Sequence, residues 1–184
     1  FRGLYDFMYE ISKPVFSTKE EMRESLDESF RRHEINVEEL VFDDAISLLK
    51  DLNSMGYPTA LASNAGREYI MEILTQLDIV DLFDIISSAE DFEKGKPDPE
   101  IYISTAEKLF LKPENVLIIE DSEVGINAAN ASGGIVVCRK DEYFNFPQNT
   151  EYKFTDLRNI KSFIEEYNKE VRTYPISKES KNHL

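Results

Sequence analysis

A chain of 184 residues has room for one well-buried core with a small appendage. Its 36 acidic against 21 basic side chains give a formal charge of −15, which argues against a nucleic-acid backbone or an anionic membrane surface as a general partner. A compact anionic substrate stays compatible with that field if a local lysine and a divalent cation offset it. No apolar run approaches the length of a membrane span, and no signal peptide is expected. One cysteine, Cys138, cannot pair internally and suits a reducing, cytoplasmic location. His33 and His183 are too isolated for a zinc site.

In chain order, Ser17 and Glu20 predict a capping box opening a helix over Thr18 to His33, with Met22, Leu26 and Phe30 on one face. No strand precedes it, so the region to about residue 40 reads as a helical subdomain. Ala45, Ile46, Leu49 and Leu52 then predict a helix that stops near Gly56, with Asp43 and Asp44 as its caps, followed by a short buried strand Pro58–Ala62. Ile70, Ile73, Leu74 and Leu77 mark the next helix and Asp84–Ser87 the next strand. Pro99–Glu100–Ile101 opens a helix carrying Tyr102, Ala106 and Leu109. Beyond a turn at Lys112–Pro113–Glu114 come a strand ending at Ile119, a helix with Val124 and Ala128, and a strand from Ile135 to Cys138. A turn-rich stretch Asp141–Thr150, a helix near Leu157–Tyr167 and a loose tail after Arg172 complete the pattern. Helical crossovers between short buried strands predict an α/β fold, a parallel sheet with helices on both faces.

Three strand ends carry polar residues, and open α/β sheets bind ligands at that edge. In Leu61–Ala62–Ser63–Asn64–Ala65–Gly66 a strand passes into a helix, where a hydroxyl and backbone amides can hold a phosphate oxygen, although Ser63 read alone is also a simple helix cap. Lys94–Gly95–Lys96–Pro97–Asp98–Pro99 sets ammonium groups beside a rigid turn, where they either neutralise an anion or are merely solvated. Asn115 to Ile119 runs directly into Glu120 and Asp121, two acids placed where they can reach a cation. Enough chain separates the three for crossovers to bring them to one edge of one sheet.

The set resembles the haloacid dehalogenase superfamily, and within it the capped phosphatases and phosphomutases of the β-phosphoglucomutase-like group. The residues that carry the resemblance are Ala60–Asn64, Lys94–Tyr102 and Ile118–Ala129, within a match from about Val41 to Arg139. The resemblance implies a Rossmannoid parallel sheet with part of an N-terminal helical cap, and a phosphoryl-transfer site that uses Mg²⁺. Carried over to this chain, it makes Ser63 and the Asn64 amide phosphate-binding. Lys96 stabilises the nucleophile and the transferring group, Asp121 holds Mg²⁺, and Glu120 is a ligand or an orienting second acid. It divides the chain into a partial cap (1–40), a core (41–172) and a flexible tail (173–184).

One part of the family pattern is missing. The family's nucleophile lies in an apolar run followed by Asp-x-Asp-Gly-Thr, and this sequence has no such segment; Val41–Phe42–Asp43–Asp44 runs into a helix instead. The expectation is therefore an Mg²⁺-dependent phosphatase or phosphomutase for a small phosphorylated metabolite, with a sugar phosphate favoured, acting through an aspartyl-phosphate whose aspartate this chain lacks. The chain alone is expected to be inactive, and its sheet to require a complementing N-terminal segment or self-association. The alternative is a non-catalytic domain that binds a phosphorylated ligand or a protein partner.

Overall fold

A computed structural model describes residues 41–139 and 150–173, together with residues 15, 17, 18, 20–22, 24 and 25. The chain divides into two compact units, Phe1–Leu40 and Val41–Leu184. In the first, residues 20–22, 24 and 25 are helical and Met22 is buried. The cap is shifted by one residue from the predicted box: Thr18 Oγ1 accepts from the Glu21 amide, and the Glu21 carboxylate accepts from the Ser17 amide. The rest of the predicted helix to His33, most of the 141–150 stretch and the tail beyond residue 173 lie outside the described residues.

The second unit alternates helix and strand in the order α1 (Asp43–Ser54), β1 (Ala60–Ala62), α2 (Arg67–Gln76), β2 (Ile85–Ser87), α3 (Glu100–Lys108), β3 (Leu117–Glu120), α4 (Glu123–Ser132), β4 (Ile135–Arg139), β5 (Tyr152–Phe154) and α5 (Ile160–Thr173). Every strand pair is parallel, as the crossovers require. The β1–β2 register sets Ala60 beside Ile85, and the β3–β4 register sets Glu120 beside Cys138. Pairing differs from the single sheet expected: β1–β2 form one sheet and β3–β4–β5 another. Among the described residues β1 and β3 each have a ladder partner on one side only.

Apolar packing joins what the ladders do not. Ile101 and Tyr102 of α3, Ile118 of β3, Ile126, Ala128 and Ala129 of α4 and Val136 and Cys138 of β4 form one buried cluster, with Ala62 of β1 and Phe92 against it. Leu48, Val137, Leu157 and Ile160 form a second on the opposite face of the three-stranded sheet, and Ile70, Leu74 and Ile79 a third beside the two-stranded one. Covering both faces is what lets strands this short and apolar stay out of water. Asp43 and Asp44 are not caps of α1: its N-cap is Phe42, and Asp44 instead accepts from the Leu157 amide at 2.9 Å and pairs with Arg139 at 3.4 Å. The left-handed turn that ends α4 falls on Gly133, φ 82°, a conformation costly for a side chain with a Cβ. Strand β5 was not anticipated. Among the described residues no helix is long and apolar enough to cross a membrane.

Candidate active site

Lys96 is the centre of the arrangement. Its side chain is 9% exposed, and its ammonium donates to the Ala62 carbonyl at the end of β1, at 2.9 Å, and to Glu120 Oε1 at the end of β3. One side chain thus ties together the ends of strands from the two sheets. Its backbone is pinned as firmly: Asn64 Oδ1 accepts from the Lys96 amide at 3.0 Å, and Asn64 Nδ2 donates to the Lys96 carbonyl at 3.3 Å. Lys94, by contrast, is exposed and pairs loosely with Asp98 at 3.6 Å.

Glu120 is buried and has both carboxylate oxygens occupied. Oε1 accepts from Lys96 and from the Tyr102 hydroxyl, and Oε2 accepts from Ser122 Oγ at 3.1 Å. Ser122 is also the N-cap of α4, accepting from the Gly125 amide at 3.1 Å. A buried carboxylate is tolerable when it meets a cation and further donors in this way. The neighbouring turn permits it: a Cβ on Gly125 would fall on the Glu120 carboxyl group itself, so only glycine lets that group lie over the first turn of α4. Burial, and then the Glu120 charge and hydrogen bond, push the Tyr102 phenol far above its usual range.

Asp121 behaves differently from its neighbour. It is exposed. Desolvation by the surrounding chain, and then the charge of Glu120, hold its carboxyl above the usual range, while Lys96 and Arg139 pull the other way. A carboxylate repelled by a like charge and open to solvent has the character of a hard-cation ligand, and Mg²⁺ often takes only one or two protein carboxylates and keeps several waters. Asp121 fits that role as it stands, whereas Glu120 would have to release a partner. Among the described residues no group of three or more His, Cys, Asp or Glu converges into a cage.

Ser63 extends the β1 ladder, its amide donating to the Ser87 carbonyl at 3.0 Å, and its Oγ accepts from the Ala65 amide at 3.1 Å. The first turn of the following helix lies beyond Ser63 and Asn64. Helix α2 begins at Arg67, and the Glu90 carboxylate, arriving from beyond β2, takes the Arg67 amide with both oxygens at 3.1 Å. A carboxylate already occupying a helix N-terminus satisfies the donor and the dipole that an anion would use. Asn64 likewise contributes its side chain to Lys96. Chain reading singled out Ser63, Asn64, Lys96, Glu120 and Asp121 but gave no separate role to Tyr102 or Gly125. The available signal was a hydroxyl-bearing aromatic in the first turn of α3, six residues past Lys96.

The sequence profile described as haloacid dehalogenase-like hydrolase matches residues 8–138. The chain belongs to this family. A phosphorylated carbohydrates phosphatase from Thermotoga maritima is 31% identical over 127 residues, which are 65% of this chain and 58% of that protein. A validoxylamine A 7'-phosphate phosphatase from Streptomyces hygroscopicus subsp. limoneus is 35% identical over 91 residues, 50% of this chain and 43% of its own. The chain therefore spans about half the length of these curated relatives. Among solved structures, β-phosphoglucomutase from Clostridium difficile aligns with a TM-score of 0.69 at 23% identity, over 89% of this chain and 75% of that one. This haloacid dehalogenase-like chain thus shares its α/β fold with that β-phosphoglucomutase.

Proposed function

We propose that this chain supplies the lysine and metal-ligand side of an Mg²⁺-dependent phosphatase or phosphomutase acting on a small phosphorylated metabolite, a sugar phosphate being the class that the relatives' names favour. The observation that carries the reading is the ammonium of Lys96, fixed between the Ala62 carbonyl and Glu120 with one N–H left for a ligand oxygen. In phosphoryl transfer most of the work is positioning and neutralising charge. Lys96 neutralises charge on the attacking and transferring groups. Ser63, whose oxygen already accepts from Ala65, keeps its proton to donate to a phosphoryl oxygen, and the Asn64 main-chain amide is the second donor. Asp121 is the residue that would hold Mg²⁺, with Glu120 as the orienting acid. When bound, the cation withdraws charge from the phosphoryl oxygens.

No Asp-x-Asp pair occurs in the sequence, so we assign the nucleophile of the aspartyl-phosphate route to a complementing segment, for which the single-partnered strands β1 and β3 offer backbone edges. Residues 1–40 are assigned to part of the cap, residues 41–172 to the core and residues 173–184 to a tail, with the protein in the cytoplasm. The same missing pair favours, as a second reading, a domain that binds a phosphorylated ligand without turnover. The test of both is calorimetry with the full chain, using inorganic phosphate as the probe with and without Mg²⁺. Phosphate binding is expected to depend on Mg²⁺ and to weaken by about tenfold or more in Asp121→Asn, the size of one lost charge-assisted contact. Equal binding by the variant would remove the metal assignment. Turnover of p-nitrophenyl phosphate by the full chain without an added segment would remove the need for complementation.

A further inference from the structure

We propose that Tyr102 is a positioning residue that fixes both Lys96 and Glu120, so that the lysine presents its remaining N–H to a phosphoryl oxygen in one direction. The proposal deepens the phosphate-site reading above and rests on it for its functional consequence, though not for its geometry.

Tyr102 touches the two charged groups with different parts of one side chain. Its hydroxyl donates to Glu120 Oε1, the same oxygen that receives the Lys96 ammonium. Its ring lies under that ammonium, 4.8 Å from Nζ to the centroid, within the range of a cation–π contact. Tyr102 is 8% exposed, on a face of α3 shared with buried Ile101, Thr105 and Ala106, so the ring has little room to move. The three contacts made by the ammonium or its acceptor divide the work. Ala62 and Oε1 take two of the three N–H groups, and the ring covers one side of the nitrogen.

Without the hydroxyl, Oε1 would keep Lys96 as its sole described partner. The last torsion of a glutamate is broad and soft, so the carboxylate would turn about the Ser122 contact and draw the ammonium with it. The backbone of Lys96, held separately by Asn64, would stay in place. The hydroxyl therefore sets direction rather than location.

The experiment uses the full chain with selectively ¹³C-labelled lysine, the Lys96 signal being identified by its loss in Lys96→Met. In the wild type the Lys96 ε-methylene is expected to be shifted upfield by the Tyr102 ring, and an ordinary lysine shift there would overturn the geometry without any tyrosine variant. In Tyr102→Phe, which keeps the ring, the chain is expected to stay folded with a thermal midpoint lowered by about a few degrees while the Lys96 signal moves. Binding of inorganic phosphate in the presence of Mg²⁺ is expected to weaken about tenfold. An unmoved Lys96 signal in Tyr102→Phe would overturn the proposal. A moved signal in a protein whose wild type binds no phosphate would sustain the positioning role and sink the phosphate-site reading instead.

Discussion

Replacing Gly125 by alanine tests the centre of the site without touching a charged residue. The added Cβ would fall on the Glu120 carboxyl group, so that group must leave its place and surrender its contacts to Lys96, Tyr102 and Ser122. Disrupting a buried ion pair costs about 3–5 kcal/mol, and alanine returns up to about 1 kcal/mol over glycine in a helix, for a net loss of about 2–4 kcal/mol. Urea unfolding of the full chain followed by circular dichroism would measure it. The decisive comparison is the same substitution in a Glu120→Ala background, where no carboxyl group remains to be displaced. There Gly125→Ala should be neutral or stabilising by up to about 1 kcal/mol, so the effect of one methyl group changes sign with the residue five positions earlier. An equal loss in both backgrounds would refute the placement of Glu120 over α4.

Two further outcomes are expected. The Ser88 amide and then the Arg67 guanidinium hold Asp91 below its ordinary value of 3.8, so its contribution is complete above that pH and is lost as pH falls through the lower folded value. The urea midpoint of the wild type should therefore drop more on acidification below about pH 4 than that of Asp91→Asn, and parallel acid limbs would rule out the contribution. Cys138 is fully buried and burial pushes its thiol up, so an aromatic disulfide reagent should label it only as fast as the chain unfolds. Rapid labelling under native conditions would mean that the β4 end opens readily.

What could be read from the sequence follows the range of each interaction. Period and punctuation placed α1 to α4 and β1 to β4 closely, because Ile70, Leu74, Ile101 and Ala106 recur at helical steps and are indeed buried. Strand β5 escaped notice because exposed Lys153 interrupts Tyr152 and Phe154, leaving no continuous apolar run, and it owes its place to β4. Motif residues Lys96, Asn64 and Glu120 were found and do come together. Their division of labour was hidden, since it depends on which oxygen meets which donor. The partner of the α2 N-terminus was hidden for a similar reason: Glu90, which takes the Arg67 amide, comes from a different loop. Asp44 went the same way, drawn from capping to the Leu157 amide and Arg139 far along the chain.

The split between β1 and β3 has a dynamic consequence. Among the described residues no backbone hydrogen bond crosses from one sheet to the other, so the two halves are coupled through helix packing and the Lys96–Glu120–Tyr102 contacts. Such halves form separate cooperative units whose opening need not be simultaneous. Amide exchange in β1–β2 and in β3–β4 would then follow two protection levels in the chain by itself. A strand pairing with both edges would merge them into one, making assembly of the site and rigidity of the domain a single event.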